Sequence, residues 1–589
     1  MKMTNLYVAE RQKKTTSLHF KSLTLLFSFL VFVFSACGAD TDGTEGDFWA
    51  INPENNRLYQ VAADMAAESD YCKIWVENGI DLDETTIQNI INEYEASIRP
   101  KMLTNFSISN SPGSIKDPET QEVVGDNILD YADYLTDGDG KLSILILDIP
   151  GGGDSAYVAG YFWSANFWAK ETYAYSNECD LIYLNKRLLE NNIPEFYTTF
   201  AHELQHLMNF STSLYTRLIK DGNGDIVDFN EMDLWVNEGL SAAAEWVYSG
   251  QYNYDRLEWF NEMPWYEYAS GPYAGKPVSR IAYGNNFFVW GERRSASDPD
   301  YILDEYATVY IFFQWLRLQT KPDGSGIGAG AEIYKDIIAS EDYNHDAVVK
   351  AVIGKGNYYT SDYSLQWETL LRDWLAANVL ANPDVTNTGK FSYMNDPILS
   401  DLDLVLFDVD GAEPNTGFTF YPGEGVYIFT TSPYSIHSKY TNPSNGDNIS
   451  RIAAGYSGNT PLINATTTFA PGALITYNRN TTRFDYTTTT PGLLEWGQLT
   501  SINYQGSPSY SIHDASKDTL PIITKSQTAM SQTGGKPRAI AADRLSKPQA
   551  VSMGDMLRKN GHKTDFGLKK SGHRKPFFKK TGKKSRQGK

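Results

Sequence analysis

Cysteine is nearly absent, with three residues in 589 (Cys37, Cys72 and Cys179), so the chain is not a disulfide-built scaffold. Histidine is scarce at eight, which gives weight to any pair set at a metal-ligand spacing. The uncharged apolar run at residues 23–34 is too short to span a bilayer comfortably. Gly151-Gly152-Gly153 is not followed by Gly-Lys-Ser/Thr, which excludes a phosphate loop there. No repeat of fixed period is evident, and nothing resembles a folded nucleic-acid reader, so nucleic acid is not an expected partner.

What is present belongs to a large globular chain. Apolar residues make up 41%, aromatics are abundant (38 Tyr, 28 Phe, 13 Trp), and the length implies two or three folded units. The net charge of -21 conceals an asymmetry. Residues 525–589 hold 18 Lys and Arg against three Asp, a net of +15, so the preceding 524 residues carry -36. An acidic body and a basic tail are two physical objects.

The N-terminus reads as an export signal. Lys13, Lys14 and Lys21 precede the apolar run, and small residues follow it. Phe34-Ser35-Ala36-Cys37 resembles the lipobox of bacterial lipoproteins, with Phe in place of the usual Leu; the resemblance implies lipidation of Cys37 and a membrane anchor there. An ordinary cleavable signal peptide is the alternative. Gly38 is not the Asp of an inner-membrane retention signal, which points to the outer membrane or cell surface. Residues 37–55 are expected to form an acidic, flexible tether. Cys72 and Cys179 are open to a disulfide or to remaining a thiol pair.

Two stretches carry the chemistry. In His202-Glu203-Leu204-Gln205-His206 the histidines stand at i and i+4, sharing one face of a helix expected over residues 195–210. Phe196, Phe200, Leu204 and Leu207 are expected to face the core. In Trp235-Val236-Asn237-Glu238-Gly239, on a second helix over residues 234–248, Glu238 would supply a third ligand and leave a fourth position open, the mark of a catalytic zinc site. Gly239, Ala242 and Ala243 would let that helix approach the first closely. The 31 residues between His206 and Glu238 include Asp221-Gly222-Asn223-Gly224-Asp225, a turn suited to a small hairpin. Residues 142–149 and 180–185 read as strands, the first covered on both faces, and residues 81–98 as a helix. Asp137 and Asp139 lack an EF-hand Glu and loop glycine, so turn chemistry is expected rather than calcium. His345 is expected in a polar, solvent-facing loop.

Together the two motifs resemble the gluzincin clan of zinc metallopeptidases, and within it the hyicolysin-type family, over roughly residues 130–320. That resemblance implies His202, His206 and Glu238 as zinc ligands, Glu203 as general base, and a protein or peptide substrate. It also implies a tyrosine oxyanion donor on the helix at residues 301–318, with Tyr306 the best positional match and Tyr310 second. The chain departs from thermolysin-like members at Ala242, where an Asp would support a ligand histidine; Ser241, Glu245 or a backbone carbonyl are open substitutes. No amine-reading stretch of the aminopeptidase kind precedes the site, which favours an endopeptidase.

The expected fold class is α+β: a zincin-like metallopeptidase domain with a mixed sheet and active-site helices (residues 56–395), after a signal peptide (1–36) and the tether. A β-sandwich-like module (396–515), rich in Thr, Tyr, Gly and Asn, and a disordered basic tail (516–589) follow. In the tail, Phe577-Phe578 between basic residues is suited to touch anionic lipid or polysaccharide. The expected function is an exported, lipid-anchored zinc endopeptidase; the alternative is a cell-surface adhesin or binding lipoprotein with a vestigial or structural zinc site.

Overall fold

The computed structural model describes residues 45–402, apart from internal stretches of which the longest are 269–286 and 288–301, and the backbone of further strands beyond them. The signal peptide, Cys37 and most of the basic tail lie outside the described residues. In chain order the elements are β1 (Glu45–Asn52), β2 (Arg57–Glu68), β3 (Cys72–Glu77), α1 (Glu84–Glu93), α2 (Arg99–Phe106), β4 (Ile115–Lys116), β5 (Val123–Gly125) and α3 (Ile128–Leu135). Next come β6 (Leu142–Leu147), β7 (Ala156–Val158), β8 (Gly160–Phe162), β9 (Leu181–Asn185), α4 (Lys186–Asn191) and α5 (Ile193–Thr216). The series continues with β10 (Leu218–Lys220), β11 (Ile226–Phe229), α6 (Leu234–Ser249), α7 (Tyr254–Asn261) and α8 (Ile302–Thr320). Helices α9 (Glu332–Ile338), α10 (His345–Val352) and α11 (Trp367–Val379) follow.

One six-stranded mixed sheet organises the first half, in the order β1-β2-β3-β6-β9-β8. β3, β6 and β9 run parallel at its centre, with antiparallel β1 and β2 on one side and antiparallel β8 on the other. Every residue of β6 and β9 is buried, as a continuous apolar run covered on both faces requires. The two-residue period sorts the side chains. Cys72, Ile74, Ile144 and Ile146 pack towards the helices, while Trp75, Leu145 and Leu147 pack with Phe48 and Val61 on the other face.

That sorting corrects two expectations. Cys72 lies in the helix-side core and Cys179 in the core of the opposite face, so the sheet stands between them. Cys72 is a buried free thiol, and the Cys72–Cys179 disulfide is not formed. Nor does a tether extend to residue 55. From Glu45 the chain is strand β1, because Phe48 and Ala50 alternate into the core and β2 supplies the ladder, with Phe48 opposite Val61.

α5 starts after Asn192, whose side chain accepts the Glu195 N–H, and Pro194 occupies its first turn. Phe196, Phe200, Leu204 and Leu207 are fully buried, and Phe200 stacks on Tyr94 at 5.2 Å. The far end of α5 is tied down by Arg217, whose guanidinium donates to the backbone carbonyls of Ile338 (2.6 Å), Ser340 (3.1 Å) and Asp342 (3.2 Å). Just beyond, the carbonyl of Tyr343 accepts the Asp233 N–H at the entrance to α6. β10 and β11 form a small hairpin between α5 and α6, around a turn with Gly224 at φ 90°. Gly239 has a different role from the expected one: a Cβ there would lie 2.3 Å from Phe313 Cε2, so it clears space for α8 rather than α5. His345 is the first residue of α10 and not a loop residue; Asn344 caps the helix, and the ring packs 6.3 Å from Trp367.

Beyond residue 402 the described strands pair mainly antiparallel. Phe407–Asp408, Gly425–Thr430, Gly472–Asn478, Ile449–Ser457 and Thr460–Ile463 form one sheet with a single parallel pair. Gly417–Phe420, Phe484–Thr488 and Ile502–Tyr504 form another. Among the described residues no helix is long and apolar enough to cross a membrane.

Candidate metal centre

His202 and His206 sit one turn apart on α5, with ring centroids 4.9 Å apart. α6 packs across them and brings Glu238 to both: Glu238 Oε2 is 3.5 Å from His202 Nε2 and 3.6 Å from His206 Nε2. Ligand atoms of the three side chains gather around one point. His202 Nε2 and Glu238 Oε2 are buried and have no hydrogen-bond partner. Buried polar atoms left this way are costly unless something else satisfies them. Nitrogen and oxygen donors at about 2.1 Å from a tetrahedral zinc stand about 3.4 Å apart, which matches both separations. The donor set fits zinc.

Each imidazole is oriented through its other nitrogen. His202 Nδ1 donates to Glu245 Oε1 at 2.9 Å. His206 Nδ1 donates to Ser241 Oγ at 3.0 Å, and Ser241 in turn donates to Gln205 Oε1. Both Nε2 atoms are thereby left as lone-pair donors towards Glu238. Sequence alone does not rank Ser241 and Glu245; the structure uses both, one for each histidine. Glu245 is held in turn: Asn253 Nδ2 donates to its Oε2 at 2.9 Å, and the Arg256 guanidinium grips both oxygens. Arg256 and Asn253 carry no local sequence signal, since they reach the centre only through the turn from α6 into α7.

Burial opposes charge on every one of these carboxyls, so the shifts report their partners. Burial would raise Glu245, yet Arg256 and His202 hold it down to about 2. Glu238 is likewise held well below the carboxylate range, burial being outweighed by His206 and His202. Glu203 behaves differently. Its burial pushes the carboxyl above its ordinary value, with His202 and His206 opposing. A raised carboxyl beside two histidines that could hold a metal is suited to taking and returning a proton.

Tyr306 is buried in α8 with the Arg256 guanidinium 4.9 Å above its ring, which links it to the Glu245–His202 pair. The Tyr310 hydroxyl accepts the Asn253 N–H at 2.9 Å and so supports the α6–α7 turn.

No family model matches the chain. It is 24% identical over 313 residues to the neutral metalloprotease ShpI of Staphylococcus hyicus, a stretch that takes in 52% of this chain and 57% of that protein. The chain thus spans little more than half the length of this curated relative. A sequence whose fold brings two histidines and a glutamate to one point is similar, over about half its length, to a metalloprotease.

Proposed function

We propose that the protein is a zinc-dependent endopeptidase of the gluzincin, hyicolysin-type kind, exported and anchored through a lipid on Cys37. The observation that carries the reading is the convergence of His202, His206 and Glu238, with buried unpartnered donor atoms, beside a carboxyl of raised pKa. His202, His206 and Glu238 would hold the zinc ion, which when bound polarises a carbonyl oxygen and lowers the pKa of water towards neutrality. Glu203 accepts the proton of the attacking water and later delivers it to the leaving amine. Glu245 and Ser241 keep both ring tautomers fixed while this proton moves. Tyr306 donates a hydrogen bond to the oxyanion.

The adhesin reading, with a metal serving structure alone, has no use for Glu203. A structural zinc site is closed by four ligands and needs no adjacent carboxyl of raised pKa. The deciding experiment measures casein hydrolysis by the purified protein, its loss on chelation and its return with zinc. Glu203→Gln should keep zinc, measured by mass spectrometry, and lose nearly all hydrolysis. A fully active Glu203→Gln, or activity indifferent to chelation, would sink the proposal.

A further inference from the structure

A second group of hard donors lies around the turn from α3 into β6. Asp133, in the last turns of α3, comes together with Asp137 and Asp139, ligand atoms of the three lying within 4.8 Å of one another. The backbone is shaped to hold them there. Gly138 and Gly140 take left-handed φ of 70° and 85°, the Gly140 N–H donates to Asp133 Oδ1 at 2.7 Å, and the Lys141 N–H donates to Asp139 Oδ1 at 2.8 Å. Carboxylates crowded on a turn are common, and these three alone would say little.

Asp180 is the independent observation. It immediately precedes β9, and its backbone carbonyl accepts the Ser143 N–H at the start of β6, so parallel pairing brings it beside the turn. Its side chain is buried, with the residue only 2% exposed, and its Oδ1 has no hydrogen-bond partner. After burial, the groups that raise its carboxyl are Asp137, Asp133 and Asp139. Lys73 of β3 pairs with Asp139, and the carboxyls outnumber that ammonium. A buried acceptor is unfilled as well. Either protons or a cation must settle the charge.

We propose that Asp133, Asp137, Asp139 and Asp180 bind a divalent cation of the calcium class at the junction of α3 with the central strands. The donors are all carboxylate oxygens, with no histidine or cysteine, which selects a hard ion rather than zinc. Donors on opposite sides of a calcium ion stand up to about 5 Å apart, which the separations among Asp133, Asp137 and Asp139 accommodate. The four aspartates come from α3, the turn into β6 and the start of β9, while Lys73 stands on β3, so one ion would join the helix to the centre of the sheet. Its role is structural, and it stands independently of the zinc reading.

The test uses the full chain as purified, freed of calcium, titrated with calcium chloride in a calorimeter and melted with and without the ion. One calcium should bind per chain and raise the melting temperature, with zinc content unchanged by mass spectrometry. Asp137→Asn and Asp180→Asn should each weaken calcium binding at least about tenfold. In calcium-free buffer Asp180→Asn should melt at or above the wild type, because it removes a repelled carboxyl; this arm shows that the variant folds. No uptake by the wild type at millimolar calcium, wild-type affinity in both variants, or a response to magnesium alone would overturn the assignment.

Discussion

Replacing Glu245 with glutamine asks whether a carboxylate, and not merely an acceptor, must hold His202. Glu245 takes His202 Nδ1–H at 2.9 Å and is gripped from behind by Arg256 and Asn253. Glutamine keeps the volume and one acceptor oxygen but removes the charge, and its amide must turn N–H groups towards either Arg256 or His202. Outer partners of a ligating histidine are worth about 10–100-fold in metal affinity, or about 1.4–2.7 kcal/mol. The second effect is on folding. Stripping one partner from a buried ion pair costs about 3–5 kcal/mol, and the partial exposure of Arg256 should bring this to about 1–3 kcal/mol. Zinc affinity measured by competition with a chromophoric chelator should therefore weaken by one to two orders of magnitude, and the metal-free protein should melt lower. Ser241→Ala, on the His206 side, should weaken zinc with a smaller folding penalty, because buried hydrogen bonds rather than an ion pair are lost there. A folded Glu245→Gln that binds zinc within about twofold of the wild type would refute the assignment of Glu245 as the group that orients His202.

Gly239→Ala should cost about 1–3 kcal/mol in denaturant unfolding, since its methyl would meet the fully buried ring of Phe313; unchanged stability would mean that α8 yields freely. Tyr306→Phe should lower kcat by about 100-fold with zinc content intact if its hydroxyl serves the oxyanion, and wild-type turnover would hand that role to another donor. Glu195, in the first turn of α5, is pushed up from 4.5 to about 7, first by burial and then by Asp255, with Asn192 opposing. A carboxyl raised on folding favours the folded state below its unfolded pKa, and that contribution is lost as pH rises through the folded value. Melting of wild type against Glu195→Gln should thus diverge between about pH 4.5 and 7, the wild type losing on the order of 1–2 kcal/mol relative to the variant; a difference independent of pH would contradict the burial argument.

The parts of the site that can be read from the chain are those whose geometry is local. His202 and His206 share a face because a helix repeats every 3.6 residues, and the burial of Phe196, Phe200, Leu204 and Leu207 follows from the same period. β6 and β9 are legible because strands buried on both faces must be apolar throughout. What requires contact between elements is not. Glu245 meets His202 across 43 residues, and only the packing of α6 on α5 puts it there rather than elsewhere. Asp180 is carried to the start of β6 by strand pairing, its carbonyl accepting the Ser143 N–H, so judging Asp137 and Asp139 by the spacing of a contiguous calcium loop overlooks a neighbour distant in the chain. Gly239 signals a close approach, but a sequence does not say which neighbour approaches. Cys72 and Cys179 illustrate the same limit, because the face on which each residue lies depends on strand register.

Arg217 gives the zinc reading a temporal side. The end of α5 is fastened to carbonyls at Ile338, Ser340 and Asp342, and the start of α6 to the carbonyl of Tyr343. Both helices that carry the three side chains are thus also fastened to a short segment about a hundred residues downstream of Glu238. A chain emerging N-terminus first holds His202, His206 and Glu238 long before it holds this anchor. Until that segment arrives, the end of α5 and the start of α6 lack these backbone anchors, and on the proposed function full hydrolytic competence would wait for it.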